Sequence, residues 1–381
     1  MLPIFHFLSM ALRSIPPFYT KLAMVLVSMI ALGFLIIHGK EILSPLTFAM
    51  LFSIMLLPVA KFFENKCHLP RSASSGISVI LLIGVVGGIL YLIGSQVSNL
   101  ASDWPQLRDQ VTTSFSNLQD WIAEHYDINA KKQMKYVHSA TSEILNSSTS
   151  AIGSTVLSLS SMLLFLIFMM IDTFFLLVYR RLLMKFLVSV FKEENSQAVF
   201  DVVERIQYII RKYITGLILE MTIVATIVCT VFLIGGIKYA FLLGLITGLF
   251  NIIPYIGIFT ALLLSVLITF STAAIGKVIL VLVTIVAMHL IDSNVLLPLI
   301  VGSKVKINAL VTILGVIIGE MLWGIPGMFL SIPIIAMFKI IFDRIESLKP
   351  WGILLGDEEK PTKHSILNRK GDVPDTEVVG K

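Results

Sequence analysis

Acidic, imidazole and amide side chains stand inside apolar runs in the second half of this 381-residue sequence. His289 and Asp292 share a helix face at three-residue spacing, Asn294 follows them, and Glu320 lies deep in the next run. Ionisable groups are costly inside a bilayer and are therefore functional candidates. Their oxygens suit a small cation or a hydroxyl-rich solute, and a buried Glu320 could carry a proton. The alternative is a neutral, hydrogen-bonded carboxyl that only fixes helix packing.

Helix-breaking residues interrupt two apolar runs, 239–270 and 308–341. A proline removes one backbone donor and leaves a carbonyl without its usual partner, which costs several kcal/mol in hydrocarbon. Such breaks persist only where protein, water or an ion covers them. The residues at the first break are Asn251, Pro254, Tyr255 and Gly257, and those at the second are Gly324, Pro326 and Gly327.

The two interrupted runs also resemble each other, because each contains Leu-Gly-x-Ile-x-Gly, starting at Leu243 and at Leu314. Broken helices at matching positions of repeated units indicate a transporter's substrate site. The alternative is a pair of kinked helices that pack through glycine faces.

Whether run 239–270 crosses the membrane once or enters and returns on the same side stays open. The second case would change the side on which Lys277, Lys304 and Lys306 lie.

Composition restricts the class of protein. The chain is 56% hydrophobic and 14% charged, with a mean hydropathy of +0.90. These values exclude an ordinary soluble enzyme, a disordered chain and a nucleic-acid-binding module. Eight runs are long enough to cross a bilayer, which predicts an all-α polytopic membrane protein with about eight transmembrane segments. The runs are 22–37, 42–60, 76–97, 156–179, 213–236, 239–270, 278–301 and 308–341.

The distribution of Lys and Arg predicts the orientation. If the N-terminus is inside and each run crosses once, about 16 basic residues lie in inner loops and about four in short outer loops. Both termini are therefore expected in the cytoplasm. Asp172 and Glu220, near the inner surface, are expected to pair with basic residues such as Arg180 or Arg211.

Six segments follow from these patterns. The outer segment is expected to be a helical cap, a gate or an oligomer contact, and the basic amphipathic segment to lie on the anionic inner leaflet. The segments are three N-terminal spans (1–97), a helical outer domain (98–150), a fourth span (151–180), cytoplasmic amphipathic helices (181–212), a core with broken helices (213–345) and a mostly disordered tail (346–381).

Three motifs together resemble the autoinducer-2 exporter family, also called PerM-like permeases. They are Asn251-x-x-Pro254-Tyr255-x-Gly257, Asp292-x-Asn294-x-x-x-Pro298, and Trp323-Gly324-Ile325-Pro326-Gly327, in the family's order and spacing. The resemblance covers about residues 20–355. The family usually carries Gln where this chain has His289, so no role is carried over to that position.

The resemblance implies an inner-membrane protein with eight membrane segments, a helical outer domain, transport without ATP, and homo-oligomers. Some members are described as autoinducer-2 exporters and others as cation/proton antiporters. The sequence contains neither a Gly-x-x-x-x-Gly-Lys-Ser/Thr loop nor a His-Glu-x-x-His motif. We therefore expect no cofactor, no zincin-type chemistry and no ATP hydrolysis by the chain itself.

Three hypotheses remain, and the first is a secondary transporter that exports a small polar solute. The second is a sodium (or lithium)/proton antiporter that uses Asp292 and Glu320, and the third is a structural membrane protein. The expected partners are the bilayer and a small polar solute or a monovalent cation and proton, without nucleic acid. The candidate path residues are Asn251, Pro254, Tyr255, Gly257, His289, Asp292, Asn294, Pro298, Glu320, Gly324, Pro326 and Gly327.

Overall fold

The computed structural model describes residues 17–125, 161–191, 193, 196–253, 256–296, 299 and 307–357. The described residues form helices and connecting turns without a strand, which confirms the all-α polytopic fold. The helices are α1 (Phe18–His38), α2 (Lys40–Lys66), α3 (Arg71–His125), α4 (Ser161–Val190), α5 (Ser196–Ile234), α6 (Ala240–Phe250), α7 (Ile256–Thr272), α8 (Ile275–Ile291), α9 (Ala309–Trp323), α10 (Ile325–Arg344) and α11 (Lys349–Leu355). A π-helical turn, Asp292–Leu296, follows α8, and a short 3-10 turn, Glu346–Leu348, follows α10.

Within these ranges, seven helices are long and apolar enough to cross a membrane. They are α1 to α5, α8 together with its π turn, and α10. Many of their large apolar side chains are exposed, and the apolar window of α1 contains no buried residue. Such a surface is unstable in water and suited to lipid, so the chain is a multi-pass membrane protein.

The buried core consists of three hydrophobic clusters that join different helices. One joins α2, α3 and α4 around Ala49, Leu82 and Met169. A second joins α5 to α8 around Val228 and Ile285. The third joins α2, α5 and α10 and includes Trp323 at the end of α9. Helices α2 and α5 each belong to two of the clusters and therefore connect the parts of the core.

Helix α3 continues without a break from its membrane span into the outer segment and ends at His125. The expected helical character of the outer segment is confirmed as far as that residue. Residues 126–150 of this segment lie outside the described residues, and so does the tail from 358 onward. The basic amphipathic stretch 181–212 is divided between the end of α4 and the start of α5.

Helices α6 and α7 form a hairpin that enters and leaves the bundle at one end. Gly244 and Gly248 pack directly against Cys229 and Ala225, so α6 runs antiparallel to α5. The Lys277 ammonium donates a hydrogen bond to the Gly236 carbonyl at 2.5 Å, so the start of α8 lies beside the turn that precedes α6. Run 239–270 therefore does not cross. We call this side of the bundle the Lys277 end.

Helices α9 and α10 form a second hairpin, which enters from the opposite end. Gly319 and Gly327 touch through their backbones, and Gly315 faces Ile335, so the two helices are antiparallel. The turn is at Gly324, whose φ of 69° favours glycine.

Both ends of this second hairpin lie near the start of α5. Arg344, at the end of α10, is 3.9 Å from Asp201 on α5, and Asn308, before α9, donates to the Leu355 carbonyl at 3.1 Å. We call this side the Arg344 end. The assumption that runs 239–270 and 308–341 each cross once is wrong for both. Each run returns to the side from which it entered, so the number of crossings falls by two. An even change leaves the end of α10 on the side that the sequence analysis predicted.

Candidate functional site

A buried cluster of two carboxylates and one amide lies inside the bundle. Asn251 follows the last residue of α6, Glu220 is on α5, and Asp292 opens the π turn after α8. The Asn251 side-chain nitrogen donates to Glu220 Oε1 at 3.1 Å and to Asp292 Oδ2 at 3.2 Å. Glu220 is 2% exposed and Asp292 is 7% exposed. We call these three residues the carboxylate–amide cluster.

Each carboxylate of the cluster has one oxygen atom that accepts no hydrogen bond from the described residues. Glu220 Oε2 and Asp292 Oδ1 are buried and have no hydrogen-bond partner within the described part of the chain. Neither residue takes part in any of the ion pairs found there. Buried polar atoms are normally hydrogen-bonded, so the two unpaired carboxylate oxygens make the cluster a candidate ligand site.

Helix α6 ends at the cluster with its carbonyl terminus, and α8 changes into its π turn there. Asn251 is the C-cap of α6, and Asp292 is the C-cap of α8. The C-terminal end of a helix carries a partial negative charge, which adds to that of the carboxylates. The end of α6 therefore favours positive charge at the cluster.

The tips of the two hairpins meet beside the same stretch of α5. Ile252, at the tip of the α6–α7 hairpin, packs against the hydrophobic cluster that contains Leu217 and Trp323. Trp323 is the last residue of α9, and its indole nitrogen donates to the Ile36 carbonyl at 3.0 Å. Leu217 precedes Glu220 by less than one helical turn. The carboxylate–amide cluster therefore lies where hairpins from opposite ends of the bundle come together.

The structure joins two of the residues chosen from the sequence, Asn251 and Asp292, and adds Glu220. The expected pairing of Glu220 with a basic residue is not found, because Arg180 pairs with Glu64 and Glu220 bonds to Asn251. Glu220 lies in register with other buried residues of α5 at three- and four-residue steps. Those residues are Tyr213, Gly216, Leu217 and Val224. This register is a sequence signal that could have identified a buried position, and the sequence analysis did not use it.

The other polar candidates do not belong to the cluster. Glu320 is exposed on α9 in a single copy of the chain, so its expected burial is not found. His289 is half-buried and its ring lies 3.5 Å from the Ser293 hydroxyl. Asn294 is exposed and donates to a carbonyl of its own helix, that of Leu290.

The glycine and proline candidates shape the hairpins. Gly257 lies against the Phe250 carbonyl in the first turn of α7, where a side chain would collide with the backbone. Gly324 forms the second turn, Pro326 lies in the first turn of α10, and Gly327 packs on α9. The remaining candidates, Pro254, Tyr255 and Pro298, lie outside the described residues.

A polar contact at the Lys277 end links α3 to the α6–α7 hairpin. Asp103, where α3 leaves its apolar span, accepts hydrogen bonds from the Tyr239 hydroxyl at 2.5 Å and the Lys238 ammonium at 2.7 Å. The Asp103 carboxylate raises the pKa of Lys238, so the ion pair persists at neutral pH. Tyr239 is the N-cap of α6, the helix that ends at Asn251. We call this contact the Asp103 latch.

No group of three or more His, Cys, Asp and Glu side chains forms a metal site in the described ranges. The carboxylate–amide cluster holds two acidic side chains and one amide. Its donors are oxygen atoms, which bind hard cations.

A multi-pass helical bundle with two opposed hairpins around a buried polar cluster has the features of a membrane transport protein. The chain belongs to the AI-2E transporter family: the family model described as "AI-2E family transporter" matches residues 22–347. This membership identifies the chain as a membrane transport protein.

Several curated proteins resemble the chain over most of its length. "Putative transport protein YrrI" of Bacillus subtilis is 26% identical over 311 residues, which cover 79% of this chain and 86% of the relative. YueF, with the same description in that organism, is 25% identical over 82% of this chain and 86% of its own length. "AI-2 transport protein TqsA" of Escherichia coli is 24% identical over 87% of this chain and 96% of the relative.

Proposed function

We propose that the chain is an ATP-independent secondary transporter that exports a small polar solute across the bacterial inner membrane. The observation that carries this proposal is the pair of helical hairpins that enter from opposite ends and meet beside a buried polar cluster. In secondary transporters, discontinuous helices meet near the middle of the bilayer and bind substrate or ion there. A protein that uses its breaks only for packing does not require buried carboxylates at the point where they meet.

Charge supports an orientation with the Arg344 end in the cytoplasm. With both hairpins in place, the short connections at the Lys277 end carry Lys40, Lys238 and Lys277, whereas the basic stretch between α4 and α5 lies at the other end. Basic residues accumulate on the cytoplasmic side. We propose that both termini are cytoplasmic and that the working form is a homo-oligomer.

Autoinducer-2 is the first solute to test, because the related TqsA is named as its transport protein. Purified chain is placed in liposomes loaded with labelled autoinducer-2, without nucleotide, and release is followed against protein-free liposomes. The proposal predicts faster release when an ion gradient is imposed. A panel of other small polar solutes is measured in the same way.

The outcomes of this experiment separate the hypotheses. Release of another solute but not of autoinducer-2 rejects autoinducer-2 as the substrate and keeps the transporter. Folded protein that releases none of the solutes and moves no ion contradicts the proposal and favours the structural hypothesis.

A second candidate is a sodium (or lithium)/proton antiporter, in which the cation is itself the cargo. The observation that favours it is the burial of two acidic side chains around one amide, with Glu220 in the place expected for Glu320. Liposomes containing a pH-sensitive dye are given a sodium or lithium pulse in the absence of any solute. Proton movement without solute favours the antiporter, and proton movement that requires solute favours coupled export.

A further inference from the structure

We propose that a groove between the end of α4 and the start of α5 binds one anionic phospholipid, whose phosphate group pairs with Arg181 and Lys185. We call it the α4–α5 groove. The sequence pattern predicted only that this basic stretch lies on the membrane surface, whereas a groove gives it a single ligand at a defined place. The inference goes beyond the proposed function, because it does not depend on which solute or ion the chain moves.

The first support is the size and composition of the α4–α5 groove. Its volume is about 660 Å³, which is within the range of ligand pockets. Its apolar wall is formed by Met184 and Val188 of α4, by Phe191 just after α4, and by Phe200 of α5. A mostly apolar wall with a few charged groups is suited to a ligand that is itself part apolar and part charged.

The second support is the charge of the groove. Arg181 and Lys185 both line its α4 side and are one helical turn apart. Neither takes part in any of the ion pairs found among the described residues. Glu193 is the one acidic side chain in the described lining, so two basic groups stand against one carboxylate. The groove therefore attracts a group with a single negative charge, such as the phosphodiester of a phospholipid.

The start of α5 adds positive charge to the same groove. Ser196 is the first residue of α5, and it lines the groove. The first turn of a helix has backbone N–H groups without intrahelical partners, and this end of the helix carries a partial positive charge. Phosphate groups bind at such ends. The end of α5 therefore favours the same phosphate as the two basic side chains.

The position of the groove along α4 selects a lipid rather than a water-soluble phosphate. Helix α4 has 30 residues and is therefore about 45 Å long, which matches the thickness of a bilayer with its headgroup layers. Its last residues, 181–190, thus lie at the depth of the headgroups. They lie at the Arg344 end, because Phe200 precedes Asp201, which is 3.9 Å from Arg344. With that end in the cytoplasm, the lipid belongs to the inner leaflet.

The surface beside the two basic side chains also faces lipid. Large apolar side chains on the neighbouring face of the same stretch are exposed, namely Leu182, Leu183, Phe186, Leu187 and Val190. Such a row is unstable in water, and acyl chains cover it. A phospholipid can therefore place its chains along this face while its phosphate lies beside Arg181 and Lys185.

The test measures lipid binding to the purified full-length chain. Lipid is removed in an uncharged detergent, and the thermal unfolding midpoint is followed during titration with phosphatidylglycerol, phosphatidylethanolamine or phosphatidylcholine. Phosphatidylglycerol has a net negative charge and should raise the midpoint at the lowest concentration. The two lipids without net charge should require at least about tenfold more. Native mass spectrometry should detect one retained phosphatidylglycerol for each chain.

A double variant connects the binding to the basic pair. Arg181→Gln with Lys185→Gln should raise the apparent Kd for phosphatidylglycerol about thirtyfold, because each basic residue near an anionic lipid contributes about a factor of five. Arg205→Gln with Lys212→Gln is the matched control. It removes two exposed basic side chains from the same stretch of sequence, outside the groove, and it should bind phosphatidylglycerol almost as wild type does.

Ser189→Trp tests the space of the groove with both basic side chains in place. The Ser189 hydroxyl lines the groove and donates to the Phe186 carbonyl of its own helix at 2.8 Å, so the change breaks no hydrogen bond between helices. The indole should fill the groove and abolish retention of phosphatidylglycerol in the mass spectrum. The preference of wild type for phosphatidylglycerol needs no variant, so a variant that does not fold leaves that test in place.

Three results with lipids would overturn the assignment. Equal binding of the three lipids would remove the selectivity for negative charge. Equal weakening in the basic-pair variant and in Arg205→Gln with Lys212→Gln would show a general attraction to the membrane surface. Weaker binding in Glu193→Gln would place a headgroup ammonium at Glu193 and so identify a zwitterionic lipid.

Two further results would assign the groove to another occupant and overturn the lipid. Inorganic phosphate that stabilises the lipid-free chain and displaces phosphatidylglycerol would identify a soluble phosphate. A changed oligomeric state in Ser189→Trp, with phosphatidylglycerol still retained, would identify a contact between two copies of the chain. Failure of the proposed function is distinguishable from all of these results, since it would appear as normal lipid binding without release of any solute in liposomes.

Discussion

At the scale of single residues, Asn251 is the member of the site whose role is most distinctive. One amide group serves both acidic side chains, and nothing else in the described part of the chain donates to them. An amide that bonds to two carboxylates also fixes the distance between them. Asn251 therefore acts both as a structural link between α5 and α8 and as a determinant of what fits between Glu220 and Asp292.

Asn251→Ala tests this double role. The change leaves two buried carboxylates without their common donor, so the free energy of unfolding should fall by about 1–3 kcal/mol. Solute release or cation-driven proton movement should fall as well, because the carboxylates lose their fixed separation. Stability is measured by chemical unfolding in detergent, and transport is measured in liposomes.

Asn294→Ala is the matched control, because its side chain is exposed and bonds only to its own helix. We expect a change within about 0.5 kcal/mol and nearly normal transport. Equal losses in both variants would contradict the special position of Asn251. They would show instead that any amide near the π turn has the same effect.

The sequence predicted part of this site and missed the rest for a physical reason. Asn251 and Asp292 could be chosen because a polar residue inside an apolar run is costly wherever it lies. The partner of each is decided by tertiary packing, which local spacing does not determine. Glu320 seemed the deeper carboxylate along the chain, but the turn at Gly324 places it on an exposed face, while Glu220 faces the interior.

At the scale of helices, glycine contacts decide how the chain folds back after each break. Gly319 and Gly327 allow α9 and α10 to touch through their backbones. Small residues at such contacts replace the hydrophobic driving force that lipid does not provide. The direction of α10 therefore depends on residues without side chains.

Gly327→Leu should separate α9 from α10. The added side chain would collide with the Gly319 carbonyl, which is backbone and cannot move aside. Overpacking of this kind typically costs about 1–3 kcal/mol, and the displaced hairpin tip should also abolish transport. The measurements are the unfolding midpoint and solute release.

Gly84→Leu serves as the control for this prediction, since an added Cβ at Gly84 on α3 meets nothing within 4 Å. It should fold and transport normally. A Gly327→Leu variant that matched the control would show that the hairpin is not held by the glycine contact.

The Asp103 latch gives the outer helix a connection to the first hairpin. Its side chains are partly exposed, with 51% of Lys238 and 33% of Asp103 accessible, so the contact adds little to stability. Its position is more informative than its strength. It joins the point where α3 leaves its apolar span to the N-cap of the helix that ends at Asn251.

Reversing the charges of the Asp103 latch tests whether the ion pair itself affects transport or whether the variants only lower stability. Asp103→Lys should slow transport, because it places like charges together and loses the Tyr239 bond. The double change Asp103→Lys with Lys238→Asp should restore part of the rate, since the attraction returns. Rates are measured in liposomes for both single variants and the double variant. Additive losses without rescue would contradict a direct role for the ion pair.

The sequence predicted the positions of the helices along the chain better than the direction of the chain after each helix break. Apolar runs marked the membrane part of each helix, because hydrocarbon requires length and apolarity. They missed the amphipathic extensions, since α4 continues to Val190 and α5 begins at Ser196, well outside runs 156–179 and 213–236. The breaks at Asn251–Gly257 and Trp323–Gly327 were also visible. What hydropathy does not contain is the direction after a break, which here depends on Gly244 and Gly248 against α5 and on Gly319 against Gly327.

At the scale of the whole molecule, the two hairpins have opposite orientations relative to the membrane, as in an inverted repeat. One enters at the Lys277 end and the other at the Arg344 end, and each begins with a short apolar helix that contains Leu-Gly-x-Ile-x-Gly. Opposed elements around a fixed site are how secondary transporters open to one side at a time. The carboxylate–amide cluster lies where access from the two sides would alternate.

This arrangement predicts the side of the membrane on which two positions are labelled. Cys67, after α2, is exposed, and Cys229 is buried, so a membrane-impermeant maleimide should label wild type at Cys67. With the Arg344 end inside, intact cells should leave Cys67 unlabelled, and inverted vesicles should label it. In a Cys67→Ser background, Lys277→Cys should show the reverse. Helix α3 starts just after Cys67 and reaches the Lys277 end at Asp103, so Cys67 and Lys277 lie at opposite ends. A chain whose run 239–270 crossed the membrane would place both positions on the same side. Labelling of both positions only in inverted vesicles would therefore reject the hairpin and, with it, the opposed arrangement on which the transport proposal depends.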